Sequence, residues 1–259
     1  MQTKAEQSEA FTLTELLVVI AVIALFVVLQ LPALEQTKER VKRVACTDNC
    51  KKMALASRMY SNDTPDGAYA NEVNSGADDL NFEYPAYVTD LKIFICPATQ
   101  NYIRTNVYNG GPDSKGIRPL RDLHENAVTP GFTSGHSYEV KGWYVGLPSP
   151  VKKTYITVNN YVLTADHGFF NLRGIKPGPA NTFVIMDADD TSVAKGGTPP
   201  AYNDFPDETD NHGRAGNNVA FCDGHAEFIK ATRWQYRYVL SEDSNLAVPP
   251  WWHGPNLTN

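Results

Sequence analysis

Residues Phe11 to Leu34 read FTLTELLVVIAVIALFVVLQLPAL, 24 positions with one formal charge, at Glu15. At a rise of ~1.5 Å per residue, a helix of this length spans about one bilayer core. A chain carrying such a run has three ways to use it: as a cleaved secretory signal, as an uncleaved anchor, or as a helix that sits in a membrane before packing into an assembly. A secretory signal wants a basic leader, a short apolar stretch and a small-x-small cleavage site after it. Here the leader MQTKAEQSEA carries one Lys and two Glu, and the segment after Leu34, EQTKERVKRVA, reads as helix rather than as a cleavage loop. A plain anchor leaves Glu15 unexplained, because a carboxylate inside an apolar helix is costly unless something pairs with it. The expectation is that Glu15 meets a cation.

The string Ala10-Phe11-Thr12-Leu13-Thr14-Glu15-Leu16-Leu17-Val18-Val19-Ile20 resembles the processing site of type IV prepilins and type II secretion pseudopilins. The resemblance implies a cut between Ala10 and Phe11 by a prepilin peptidase, N-methylation of the new Phe11 amine, and a pairing of Glu15 with such an amine during filament assembly. Phe11 then opens a mature chain of 249 residues, Glu15 is fifth, and Pro32 falls at position 22, where pilins carry a helix-kinking proline. Two departures stand beside this match: Ala10 replaces the commoner Gly, and the leader is less basic than usual. The implied partners are further copies of the same chain, the peptidase and an inner-membrane assembly machinery. The implied location is the inner membrane first, then a periplasmic or extracellular filament.

Beyond Pro32 the apolar positions Leu34, Val41, Val44, Ala45, Met53, Leu55, Ala56, Met59 and Tyr60 keep helical spacing. One helix is therefore expected over residues 11–62, kinked near Pro32 because proline lacks a backbone donor and crowds the preceding turn. Its 11–34 half is apolar all round, and its later half is amphipathic, suited to lie on a folded head. The turn-rich Asn62-Asp-Thr-Pro-Asp-Gly ends it. Short β-like runs follow at Leu91 to Ile95, Gly142 to Val145, Thr154 to Val158, Thr182 to Met186, Asn218 to Cys222 and His225 to Ile229. Strands without alternating long helices predict an antiparallel sheet packed on the first helix, with large loops around 98–140 and 188–211. The class is α+β and pilin-like, divided into a leader (1–10), the long helix (11–62) and a β-rich head (63–259).

Asp223-Gly224 between two alternating runs is a hairpin signal, predicting a type I′ turn with positive φ at both central residues. The segment from Asn211-His212 to Asp223-Gly224 resembles the end of a group of bacterial pseudopilin-like proteins that carry a His, about nine residues, then Asp-Gly. Here ten residues separate His212 from Asp223. The string from Leu91 to Cys96-Pro97, and the helix around Cys46 and Asn49, resemble that group as well.

Cys46, Cys50, Cys96 and Cys222 allow three connectivities, and an envelope or extracellular location permits disulfides. Cys46 and Cys50, at i and i+4 on one helix face, suit separate partners better than each other. The expected pairs are Cys46 with Cys96 and Cys50 with Cys222, beside the alternative of buried free thiols. A transition-metal site built from His212, Cys222, Asp223 and His225 is weighed and set aside, since no helix-borne His pair or second cysteine-rich knuckle accompanies it. The acidic run with Asp187, Asp189 and Asp190 is the better cation candidate, for calcium, a hard ion that takes carboxylate and carbonyl oxygens from irregular loops. Major pseudopilins often bind calcium in a late loop, although this run is not a match to theirs.

No G-x-S-x-G elbow, P-loop or H-E-x-x-H motif is present, so a catalytic role is not expected. With 23 basic against 29 acidic residues, a net charge of −6 and no clustered Lys/Arg face, nucleic acid is not expected as a main partner. The function expected is a structural subunit of a type IV pilus-like or type II secretion pseudopilus filament. The alternative is a membrane-anchored envelope enzyme or ligand-binding head that does not polymerise and uses the loops around His212 and Asp187.

Overall fold

In the computed structural model, α1 runs from Leu13 to Asp63, 51 residues, through Pro32. The structure describes residues 12–71, 78–112, 116–124, 134–146, 148–164, 170–188, 205–206 and 210–244. The chain divides into two units, Met1–Val41 and Lys42–Asn259.

In the first unit α1 is apolar round its circumference over Leu16 to Leu34, with a stretch of mean hydropathy 2.9 of which none is buried, before the polar Glu35 to Arg40. Its large side chains from Leu13 to Leu34 are 45 to 79% exposed. It is the one helix among the described residues long and apolar enough to cross a membrane.

In the second unit the helix takes on a face. Cys46, Cys50, Met53, Ala54, Ser57 and Ser61 are buried, at spacings of three and four that form one stripe. Of the expected apolar positions Met53 and Ala56 are buried, whereas Val41, Val44, Leu55 and Met59 are exposed, and small or polarizable side chains take most of the inner face. Small residues let the helix backbone approach the sheet closely.

The sheet has order β1-β4-β5-β6, with β1 Tyr138–Val140, β4 Phe183–Asp187, β5 Gly216–Phe221 and β6 Ala226–Lys230, all neighbours antiparallel. A separate pair joins β2 Trp143–Tyr144 to β3 Val151–Lys152. The fold is α+β, as expected. On one side of the sheet Tyr138, Val140, Val184, Ile185 and Ala220 share a core with Cys46, Cys50, Met53 and Ala54 of α1. On the other, Phe183, Met186, Val219 and Phe221 pack with Trp234 and Tyr238 of α4, Ala231–Glu242. β4 and β5 are consequently buried along their whole length, and the expected sheet covered by one helix is a sheet between two.

Two of the expected strands are helical. Leu91–Phe94 is a 3-10 turn started by Asp90, whose side chain accepts from the Lys92 N–H at 3.0 Å. Thr154 caps α3, Tyr155–Asn160: its hydroxyl accepts from the Thr157 N–H at 3.1 Å while the Thr157 hydroxyl accepts from the Thr154 N–H at 2.7 Å. Reciprocal capping satisfies two otherwise orphaned donors and overrides the β preference of a Thr-Tyr-Ile-Thr-Val run. A short helix α2, Arg121–His124, interrupts the long loop after residue 98.

The β5–β6 hairpin forms where Asp223-Gly224 placed it, but with a wider turn. Phe221 N–H donates to the His225 carbonyl, and Gly224 N–H to the Phe221 carbonyl, each at 2.9 Å. Only Gly224 takes positive φ, at 95°, so the turn is not the type I′ form expected. A buried ion pair anchors the far end of α4: Lys153 Nζ lies 2.6 Å from Glu242 and also donates to the Phe183 carbonyl at 3.0 Å.

Candidate functional site

Four side chains from four elements converge beneath α1. Cys46 comes from α1, Cys96 follows the 3-10 turn Leu91–Phe94, Asp187 ends β4, and His212 caps the 3-10 turn Gly213–Ala215. One ligand atom from each lies within 4.8 Å of all the others. Cys46 Sγ donates to Asp187 Oδ1 at 3.0 Å, across 141 positions of sequence. Cys96 Sγ and His212 Nε2 are 3.3 Å apart, across 116 positions, and His212 Nε2 lies 3.7 Å from Asp187 Oδ2. Both cysteines are fully buried, and the His212 and Asp187 side chains are 1% and 0% exposed.

Local structure aims each group. Asn49, one turn beyond Cys46, donates to the Ile95 carbonyl at 3.2 Å and holds the Cys96 segment against α1. The Ala98 N–H then donates to Cys96 Sγ at 3.5 Å. Asp187 Oδ2 accepts from the N–H and the side-chain amide of Asn218, at 2.6 and 2.9 Å, and Oδ1 from the Asn211 amide at 3.3 Å. Asn211 also donates to the Ser137 carbonyl at 2.7 Å, which fixes the chain just before His212. The Tyr138 hydroxyl is 3.3 Å from Cys46 Sγ.

The electrostatics favour neutral thiols when nothing else is bound. Burial pushes the Cys46 thiol well up. Cys96 is raised first by its hydrogen bond with Cys46 and then by burial. For His212 burial acts downward, but the Cys96 hydrogen bond and the Asp187 charge outweigh it and the net shift is upward.

The site residues expected from sequence divide sharply. Cys46 and Cys96, expected in bridges, meet Asp187, expected in a calcium loop, and His212, a residue of the hairpin-site candidate. All four cysteines are free buried thiols, so neither expected bridge is present. Cys50 and Cys222 are outside the four-residue cluster, and burial raises Cys222 to about 12. Asp223 and His225 pair with each other on the hairpin, partly exposed. Asp189 and Asp190 lie outside the described residues, as do Ala10 and Phe11.

The partner of Glu15 in the structure is Thr12 and not a cation. Its carboxylate accepts from the Thr12 N–H at 2.8 Å and the Thr12 hydroxyl at 2.6 Å, while the Glu15 N–H faces Thr12 Oγ at 3.3 Å. Thr12-Leu-Thr-Glu15 is a capping box, so the carboxylate closes the first turn of its own helix. Pro32 lies inside the continuous α1.

Asn218, Asn211 and Tyr138, which orient the cluster, carried no signal in the sequence beyond the proximity of the two asparagines to His212 and the hairpin. No family model, no curated protein and no solved structure matches this chain.

Proposed function

We propose that this chain is a filament subunit of the type IV pilus or type II secretion pseudopilus kind, cut before Phe11, N-methylated there, and polymerised through α1. The observation that carries the reading is the contrast along one helix. From Cys46 onward α1 buries a stripe in the head, whereas its apolar stretch between Leu13 and Leu34 has no buried residue among those described. A surface of that kind is stable in lipid, or among copies of itself, and not in water. Packing Leu16 to Leu34 among neighbouring helices replaces lipid contacts with protein contacts at little cost. Glu15, the single charge of the segment, caps its own helix in the free subunit and is available to a neighbouring amine in the filament. The head supplies the outer surface, and the reading assigns it no catalytic step.

The test is amino-terminal analysis of the protein from its native cell, combined with mechanical shearing. The expected result is a chain beginning with N-methylated Phe11, recovered in sheared or envelope-bound filaments. An intact Met1 on a chain that stays monomeric in salt-washed membranes would overturn the reading and mark an anchored head that does not polymerise.

A further inference from the structure

We propose that Cys46, Cys96, Asp187 and His212 form a closed, four-coordinate zinc site that locks the head onto α1. The site does not depend on filament assembly.

The donor set is the first argument. Two cysteine sulfurs, one imidazole nitrogen and one carboxylate oxygen are ligands that zinc accepts, and four protein ligands with no open position mark a structural rather than a catalytic centre. Sulfur donors select a thiophilic ion over calcium or magnesium. Tetrahedral zinc with ordinary bond lengths places its ligand atoms about 3.3–3.8 Å apart. Here Cys46 Sγ is 3.0 Å from Asp187 Oδ1, Cys96 Sγ is 3.3 Å from His212 Nε2, and His212 Nε2 is 3.7 Å from the other carboxylate oxygen, Oδ2; with one atom taken from each residue all pairs are inside 4.8 Å, so small side-chain shifts suffice to enclose an ion.

The surroundings are the second argument. Groups around the cluster present hydrogen-bond donors to the atoms that carry negative charge once a metal is bound. Ala98 N–H points at Cys96 Sγ, both Asn218 donors reach Asp187 Oδ2, Asn211 reaches Oδ1, and the Tyr138 hydroxyl is placed to donate to Cys46 Sγ. Such outer contacts orient ligands and stabilise their charged forms. His212 Nδ1 has no hydrogen-bond partner among the described residues. A proton on that nitrogen leaves the Nε2 lone pair facing the two sulfurs and the carboxylate.

A Cys46–Cys96 bridge explains less. It would use two of the four groups and leave a buried carboxylate and a buried imidazole directed at an uncharged disulfide, which burial penalises. Zinc uses all four: two thiol protons leave to solvent as the ion binds, and the dication offsets the charge of two thiolates and Asp187 to a net −1. The Arg43 guanidinium lies 5.1 Å over the Phe228 ring, which in turn meets the His212 ring edge-on at 6.1 Å, so a cation stands one ring away from the site to offset the remainder.

The experiment uses the full chain, extracted from membranes in mild detergent without chelator. Metal content is measured as isolated and after equilibration with Zn2+ followed by desalting, and Cys46 and Cys96 are mapped in non-reduced peptides. The expected result is about one zinc per chain, reduced at least tenfold in His212→Ala and Cys96→Ser and retained in Cys50→Ser. Because the ligand variants can fail by misfolding, the unaltered chain is also stripped and loaded with Co2+. Sulfur-to-cobalt charge-transfer absorption and the visible bands of tetrahedral cobalt are expected, and removal of the metal should lower the unfolding midpoint by roughly 5–10 °C. A Cys46–Cys96 disulfide in the peptide map overturns the proposal. So does a chain with free thiols that takes up no zinc, or one whose zinc survives both ligand substitutions.

Discussion

Glu83 shows how a single buried group couples this fold to pH. It is fully buried, with Oε1 accepting from the Ser57 hydroxyl at 2.9 Å and Oε2 without a partner among the described residues. Burial raises its pKa well above the ordinary carboxylate value of 4.5. The folded chain holds the proton after the unfolded chain has released it, so the associated stability is complete below about 4.5 and is lost as pH rises through the raised folded value. Glu83→Gln keeps the shape and removes the titration. Its urea midpoint should match the unaltered protein near pH 4.5 and exceed it increasingly toward pH 8; parallel profiles would rule out this role. Nothing around Glu83 in the sequence announces its burial, because the enclosing Ser57 side chain comes from α1. Glu15 is the opposite case. Its isolation in an apolar run is plain from the sequence, and its Thr12 partner is written there too, as the local capping pattern Thr-x-x-Glu.

At the scale of elements, α1 and the β5–β6 hairpin were legible because their signals are local. Unbroken apolar character and the Asp223-Gly224 turn do not depend on distant residues. The Thr154 to Val158 and Leu91 to Ile95 runs failed for an equally local reason: capping by Thr154 and Asp90 outweighed side-chain preference. Gly216 is a position where backbone geometry leaves no freedom. It opens β5 opposite Lys230 with φ of 137°, and a Cβ there would sit 2.0 Å from the Ile229 carbonyl oxygen. Gly216→Ala combines a disfavoured backbone conformation with a backbone clash and should cost about 2–4 kcal/mol, read as a lower denaturation midpoint. A change smaller than about 0.5 kcal/mol would show that the β5–β6 pairing adjusts freely. α4 escaped the sequence reading because its buried residues, Trp234, Tyr238, Val239 and Leu240, are interleaved with Arg233, Gln235 and Arg237, and no cap residue marks its start at Lys230.

For the whole molecule, the division at Val41 separates a helix segment that needs an apolar surrounding from a head with its own cores. Replacing residues 11–34 with an unrelated apolar span should leave the chain in membranes with its zinc content unchanged, and should abolish recovery in sheared filaments. Filaments at normal yield from that chimera would show that assembly does not run through this segment. What the sequence determined by itself is what short-range chemistry can specify: the apolar segment, the resemblance at its start, the mixed α+β class and the hairpin. Only the tertiary structure decided that α1 meets the sheet through small side chains and that α4 covers the opposite face. It alone brought Cys46, Cys96, Asp187 and His212 to one point. Those four residues carry no common spacing or motif; they meet because β4 and β5 are buried between two helices and the ends of three separate elements close on the middle of α1 where it packs on the sheet.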